Sequence, residues 1–128
     1  KMEQLKQDMQ AGIVALMEAV KNDYLAMHER WNKADAETCS AEELEARIGV
    51  RKEMAAEVVA GVRADIGKKY VKIVREGSVH SFVMMEDDSK FRRGDILRAA
   101  SWAAPARNSA RGNVLTGDLS RVSWTGVI

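Results

Sequence analysis

The character of the sequence changes near residue 66, and that change limits the fold more than any other feature. Up to that point the apolar positions Met2, Leu5, Met9, Ile13, Leu16, Val20, Tyr24, Met27 and Trp31 recur three or four residues apart, the period of an α-helix. Beyond it, Tyr70-Val71-Lys72-Ile73-Val74-Arg75 alternates with the period of a strand. Segregated periods of this kind predict an α+β protein: an N-terminal long helical hairpin followed by a small, mostly antiparallel β-sheet of about four strands.

The first helix is expected over residues 2–32, with Gly12 as its weak point, costing about 1 kcal/mol relative to alanine. Lys33 to Cys39 interrupts the apolar pattern. Ser40-Ala41-Glu42-Glu43 then fits a capping box and opens a second helix whose stripe is Leu44, Ile48, Ala55, Val58, Val62 and Ile66, with Gly67 as its stop. The short connection makes the two helices antiparallel neighbours. This divides the chain into a helical hairpin, residues 1–67, read as an oligomerisation or scaffold element, and a small basic β domain, residues 68–128. The apolar faces look too long for a small sheet to cover. A homo-oligomer held through the N-terminal helices is therefore expected, against the alternative of a monomer in which both stripes pack on each other and on the sheet. Met2, Met9, Met17 and Met27 read as core filling ahead of a partner groove.

In the second half, Gly77-Ser78 reads as a two-residue turn between strands, which sets Ile73 opposite Phe82 and Val71 opposite Met84 as the buried face. Lys72, Val74, Ser81 and Val83 then fall on the other face. Ile96 to Ala100 predicts a third strand and Val122 to Val127 a closing one. Pro105 argues against a helix through the irregular stretch between them.

Charge divides at the same place as periodicity. Residues 1–66 carry 9 Lys/Arg and 13 Asp/Glu, and residues 67–128 carry 11 and 6, giving −4 and +5, which sum to the net +1. A basic half suits an anionic partner. The single cysteine, Cys39, allows no intrachain disulfide, no apolar run is long enough to span a bilayer, and Lys1-Met2-Glu3-Gln4 lacks a signal-peptide core. These point to a cytoplasmic protein with no membrane contact.

Chemistry-bearing motifs are sparse. His28, Cys39 and His80 show no metal-ligand spacing, so neither metal nor other cofactor is expected. Phosphate-loop and dinucleotide fingerprints are absent, as is a nucleophile elbow. Cys39 reads as a small residue in the interhelical loop. His80 reads as a half-buried or hydrogen-bonded histidine ahead of a general base. No catalytic residue is assigned, and the chain is expected not to be an enzyme.

The densest functional signal is cationic. Lys90, Arg92, Arg93, Arg98, Arg107 and Arg111 fall within 22 residues, opposed only by Asp95, with Trp102 among them. Guanidinium groups bind phosphates bidentately and stack on bases, and an indole supplies a stacking platform. These seven residues form the candidate nucleic-acid surface. The competing reading leaves the arginines solvated or paired and Trp102 buried.

Residues 70–128 also carry a locally specific pattern. It comprises Tyr70-Val71-Lys72-Ile73-Val74, Ser78-Val79-His80-Ser81-Phe82, Gly94-Asp95-Ile96-Leu97-Arg98-Ala99-Ala100-Ser101-Trp102-Ala103-Ala104-Pro105-Ala106 and Ala110-Arg111-Gly112-Asn113. This half resembles a group of small uncharacterised bacteriophage proteins, which commonly have lysine at the position of Arg98. The resemblance implies a phage origin, hence a host-cell cytoplasm, and supplies no activity. The function expected is thus a non-enzymatic phage accessory protein that binds nucleic acid through its basic half. The alternative is a protein–protein interaction module, a host-factor inhibitor or a virion assembly component.

Overall fold

A computed structural model describes residues 2–128; Lys1, quoted above for the signal-peptide reading, lies outside the described residues. A short 3₁₀ turn, Met2–Gln4, leads into helix α1, Gln7–Thr38, and helix α2, Ala41–Ala60. Strands β1 (Arg63–Ile66), β2 (Tyr70–Arg75), β3 (Ser78–Met84) and β4 (Ile96–Arg98) follow, then the short pair β5 (Val122–Ser123) and β6 (Gly126–Val127). The first four strands form one antiparallel sheet in the order β1-β2-β3-β4. Two long helices and a four-stranded antiparallel sheet make this an α+β fold.

Helix α1 does not stop at residue 32. It loses its apolar period there because its partner-facing side chains become polar, not because the helix ends. Arg47 and Arg51 of α2 reach Asp35 at 3.0 and 2.6 Å, and Arg51 also donates to the Asn32 side chain at 2.8 Å. The break is confined to Cys39 and Ser40, where the capping box forms as the sequence predicts, with the Glu43 N–H donating to the Ser40 hydroxyl at 3.2 Å.

Helix α2 ends six residues before the predicted Ile66. Gly61 closes it, and its N–H donates to the Glu57 carbonyl at 3.0 Å. The apparent helical spacing of Val58, Val62 and Ile66 runs across a helix end into β1, where Ile66 pairs with Val71. A boundary at residue 67 therefore falls inside the sheet, between β1 and β2. Gly67 sits in the β1–β2 turn, its N–H donating to the Tyr70 carbonyl at 2.9 Å.

The β2–β3 register differs by one residue from the expectation. Val71 lies opposite Val83 and Lys72 opposite Phe82. The turn residues are Glu76 and Gly77, at φ 48° and 73°, the left-handed pair that a tight hairpin turn requires. A bulge then places both His80 and Ser81 against Ile73. A one-residue slip exchanges faces. Hence Val71, Ile73, Val83 and Ile96 face α1 and pack with Leu5, Met9, Ile13 and Leu16, while Phe82, Met84 and Leu97 form a second cluster with Phe91 on the outer face.

The α1 stripe is thus covered by the sheet through Leu16 and by α2 at Tyr24, where Ala55 and Val58 pack. Trp31, Val50 and Met54, at the far end of the hairpin, stay exposed. The predicted closing strand is instead the β5–β6 hairpin. Trp124 at its tip donates its backbone N–H to the Asp23 carboxylate at 2.9 Å and sets its ring 4.9 Å from Tyr24. The fourth strand of the main sheet is β1, cut from what reads as helix.

Candidate nucleic-acid interface

Part of the irregular segment between β4 and β5 lies over the outer face of the sheet, with Ala110 against the Phe82 cluster. Arg107 pins that segment down. Its guanidinium pairs with Asp88, donates to the Tyr70 hydroxyl at 2.8 Å, and lies 4.8 Å from the Phe91 ring. The Asp88 carboxyl is held down at about 2, chiefly by the backbone N–H groups of Phe91 and Lys90 and then by Arg107. Lys90 donates from its ammonium to the Arg107 carbonyl. Both cations are therefore engaged in holding the segment on the sheet.

Arg93 is engaged elsewhere. It forms a bidentate pair with Asp8 at the start of α1, at 2.9 and 2.8 Å, and its hydrogen bonds hold the Asp8 carboxyl down at about 2. Arg111 folds back on the Ser109 carbonyl and the Asn108 side chain. Arg92 and Arg98 are exposed and have no ion-pair partner among the described residues. Arg98 lies opposite Ser81 in the register, on the α1 side of the sheet, and lines a cavity of about 410 Å³ with His80, Ser123 and Thr125.

Trp102 is on the other side, half exposed, with the Lys72 ammonium 4.3 Å from the centre of its ring. The seven predicted residues therefore do not share one surface. Lys90, Trp102 and Arg107 belong to the outer face, Arg98 to the helix side, and Arg93 to the α1 junction.

The structure assembles a different group around Trp102. A groove of about 250 Å³ is lined by Lys68, Lys69, Tyr70, Lys72, Phe82 and Ala103, among others. Its one carboxylate, Asp65, is bridged by Arg63 at 3.1 Å. Lys68, Lys69 and Lys72 have no carboxylate partner among the described residues, so the groove keeps three uncompensated positive charges. Strand alternation already sets Lys72 apart from Val71 and Ile73, but only the observed register brings Phe82 opposite it. Lys68 and Lys69 directly follow Gly67, the predicted helix stop, where no local pattern marks them as lining a groove.

His80 is buried, and both ring nitrogens are engaged, Nε2 with the Ser123 carbonyl at 2.6 Å and Nδ1 with the Ser81 hydroxyl at 2.8 Å. A carbonyl only accepts, so Nε2 carries the proton and Nδ1 accepts from Ser81. The ring ties the β5–β6 hairpin to the sheet. Burial is the main cause that lowers its pKa below 6.5. The unfolded chain then takes up this proton first, so stability falls as pH drops below about 6.5. Asp8 and Asp88 act in the same direction only below about pH 4, where unfolded carboxylates titrate. Urea midpoints should decline from pH 7 to pH 5 in the wild type and stay nearly level in His80→Gln; a level wild-type profile would contradict a histidine held neutral by burial.

Helix α1 on one face of a four-stranded sheet, with α2 packed on α1, and a lysine-lined aromatic groove on the other face define an α+β protein with a basic outer groove. Comparison with known families then places the chain. The Family of unknown function (DUF7717) matches residues 1–128, and the chain belongs to it. No curated protein and no solved structure matches it.

Proposed function

We propose that this chain is a non-enzymatic nucleic-acid-binding protein, a phage accessory protein in keeping with the resemblance of its second half, and that its contact surface is the outer groove rather than the full arginine cluster. The observation that carries the reading is the exposed Trp102 indole with the Lys72 ammonium 4.3 Å from it, beside a groove that retains the charges of Lys68, Lys69 and Lys72. Cations without carboxylate partners release counterions when they meet phosphate, and an accessible aromatic ring adds sequence-tolerant contact.

The test is a fluorescence anisotropy titration with labelled DNA and RNA at several salt concentrations. Replacing Lys68, Lys69 and Lys72 together with alanine should weaken binding and flatten the slope of log K against log salt by roughly 2–3 units, at 0.7–0.9 per lost phosphate contact. Arg98→Ala, on the opposite side of the sheet, should leave both unchanged. An unaltered slope in the triple variant would remove the groove from the interface.

A second reading, a protein-binding module, is supported by the shallow apolar groove at the far end of the hairpin, about 370 Å³, where Trp31, Val50 and Met54 are exposed beside Arg47 and Arg51. It predicts binding that survives nuclease treatment and is lost in Val50→Asp.

A further inference from the structure

We infer that the ligand of the outer groove is a single strand, with an unpaired base stacked on Trp102 and the adjoining phosphates held by Lys68, Lys69 and Lys72. This rests on the nucleic-acid reading above and specifies its substrate.

Three observations carry it. The first is what Trp102 offers. A duplex hides the faces of its bases in the stack and presents only their edges and its phosphates. An exposed indole is useful as a platform only to a base that has left the stack. Trp102 retains 50% of its accessible surface even with an ammonium at its ring, and no other side chain of this face combines an aromatic ring with that exposure.

The second is that the platform is built rather than loose. The Ser101 and Ala100 N–H groups both donate to the Ala104 carbonyl at 3.0 Å. The Ser101 hydroxyl accepts from the Ala103 and Ala104 N–H groups at 3.3 and 3.2 Å. Buried Pro105 bridges to Ala99 of the segment that continues β4. The indole is therefore carried on a closed turn anchored at the sheet edge, so that little ordering remains for a base to induce.

The third is the charge of the helices, the elements most often placed in a duplex major groove, although a two-stranded ribbon can enter one too. Here the exposed side of α2 carries Glu42, Glu43, Glu45, Glu53 and Glu57, and the first 66 residues hold a net of −4, from 9 Lys/Arg and 13 Asp/Glu. The helices would repel phosphate, while the groove beside Trp102 attracts it across a narrow strip three lysines wide.

The experiment compares a fluorescein-labelled 12-nucleotide single strand of mixed sequence with its 12-base-pair duplex, for the wild-type chain, Trp102→Ala and Trp102→Phe. The single strand should bind more tightly than the duplex. Trp102→Ala should weaken the single strand roughly 10- to 100-fold with its salt slope unchanged, since no charge is removed, and Trp102→Phe should recover most of that loss. Circular dichroism checks that each variant is folded. Equal or tighter binding of the duplex, or an equal loss on both ligands in Trp102→Ala, overturns the single-strand assignment while leaving nucleic-acid binding in place. Absence of binding to either ligand at low salt overturns the assignment together with the reading beneath it.

Discussion

Replacing Gly12 with leucine should cost about 3 kcal/mol or more of folding stability, and replacing it with alanine about 1–2 kcal/mol, although alanine is the better helix former. Gly12 is buried in the first half of α1, where the helix crosses Val114. A Cβ at this position would stand 2.8 Å from the Val114 carbonyl oxygen and 2.9 Å from its Cβ and Cγ2. Those atoms cannot yield cheaply. Val114 is itself buried, and its N–H donates to the Gly94 carbonyl at 2.9 Å. An added methyl must therefore move α1 away from the sheet, loosening Met9, Ile13 and Leu16 against Ile73 and Ile96. The helix-propensity gain of about 1 kcal/mol offsets only part of that. Urea denaturation followed by circular dichroism reads the difference. A Gly12→Ala chain as stable as the wild type, or more stable, would mean that the α1–Val114 approach is not as close as described.

Gly12 also shows why some of this fold was legible and some was not. The period of Met9, Ile13, Leu16 and Val20 is a local property, and it identified both the helix and the face it buries. What lies opposite that face is not local, so the sequence shows Gly12 only as a weak point, whereas the structure packs Val114 directly against it. The capping box at Ser40 and Glu43 was readable because all its partners lie within four residues. The end of α2 was not, since Val58, Val62 and Ile66 keep a helical spacing across a change of structure, and only pairing with β2 decides that Ile66 is in a strand. The hairpin turn lies one residue earlier than the residue pattern predicts, because Gly77-Ser78 and Glu76-Gly77 are both acceptable turns, and the bulge at His80 leaves no mark in that pattern. The bulge residue decides the site, because it puts Phe82 and Met84 on the same face as Lys72, the face that carries Trp102. Composition alone gathers the arginines into one cluster, but Asp8 and Asp88, which take up Arg93 and Arg107, lie 85 and 19 residues away in sequence.

Phe82→Ala should be the most damaging substitution on the outer face, at about 3–5 kcal/mol, or a fall in Tm of roughly 10–20 °C for a chain of this size. Phe82 is 2% exposed and packs with Met84, Phe91 and Leu97, its ring edge-on to Tyr70 at a centroid distance of 5.6 Å. Its removal opens a cavity under the groove that Arg107 and its segment cannot fill while Asp88 and Tyr70 hold the guanidinium in place. Phe82→Leu keeps most of the volume and should cost no more than about 1.5 kcal/mol. Trp102 provides the contrast. It stands on the same face, yet half of it is exposed, and Trp102→Ala should change stability by less than about 1 kcal/mol while weakening single-strand binding. The two aromatics thus divide the surface into a floor that holds the fold and a platform that faces outward. Thermal melts of the two alanine variants, run beside the binding titrations, separate these roles. Equal losses of Tm in both would make Trp102 a packing residue and leave the groove without its stacking ring.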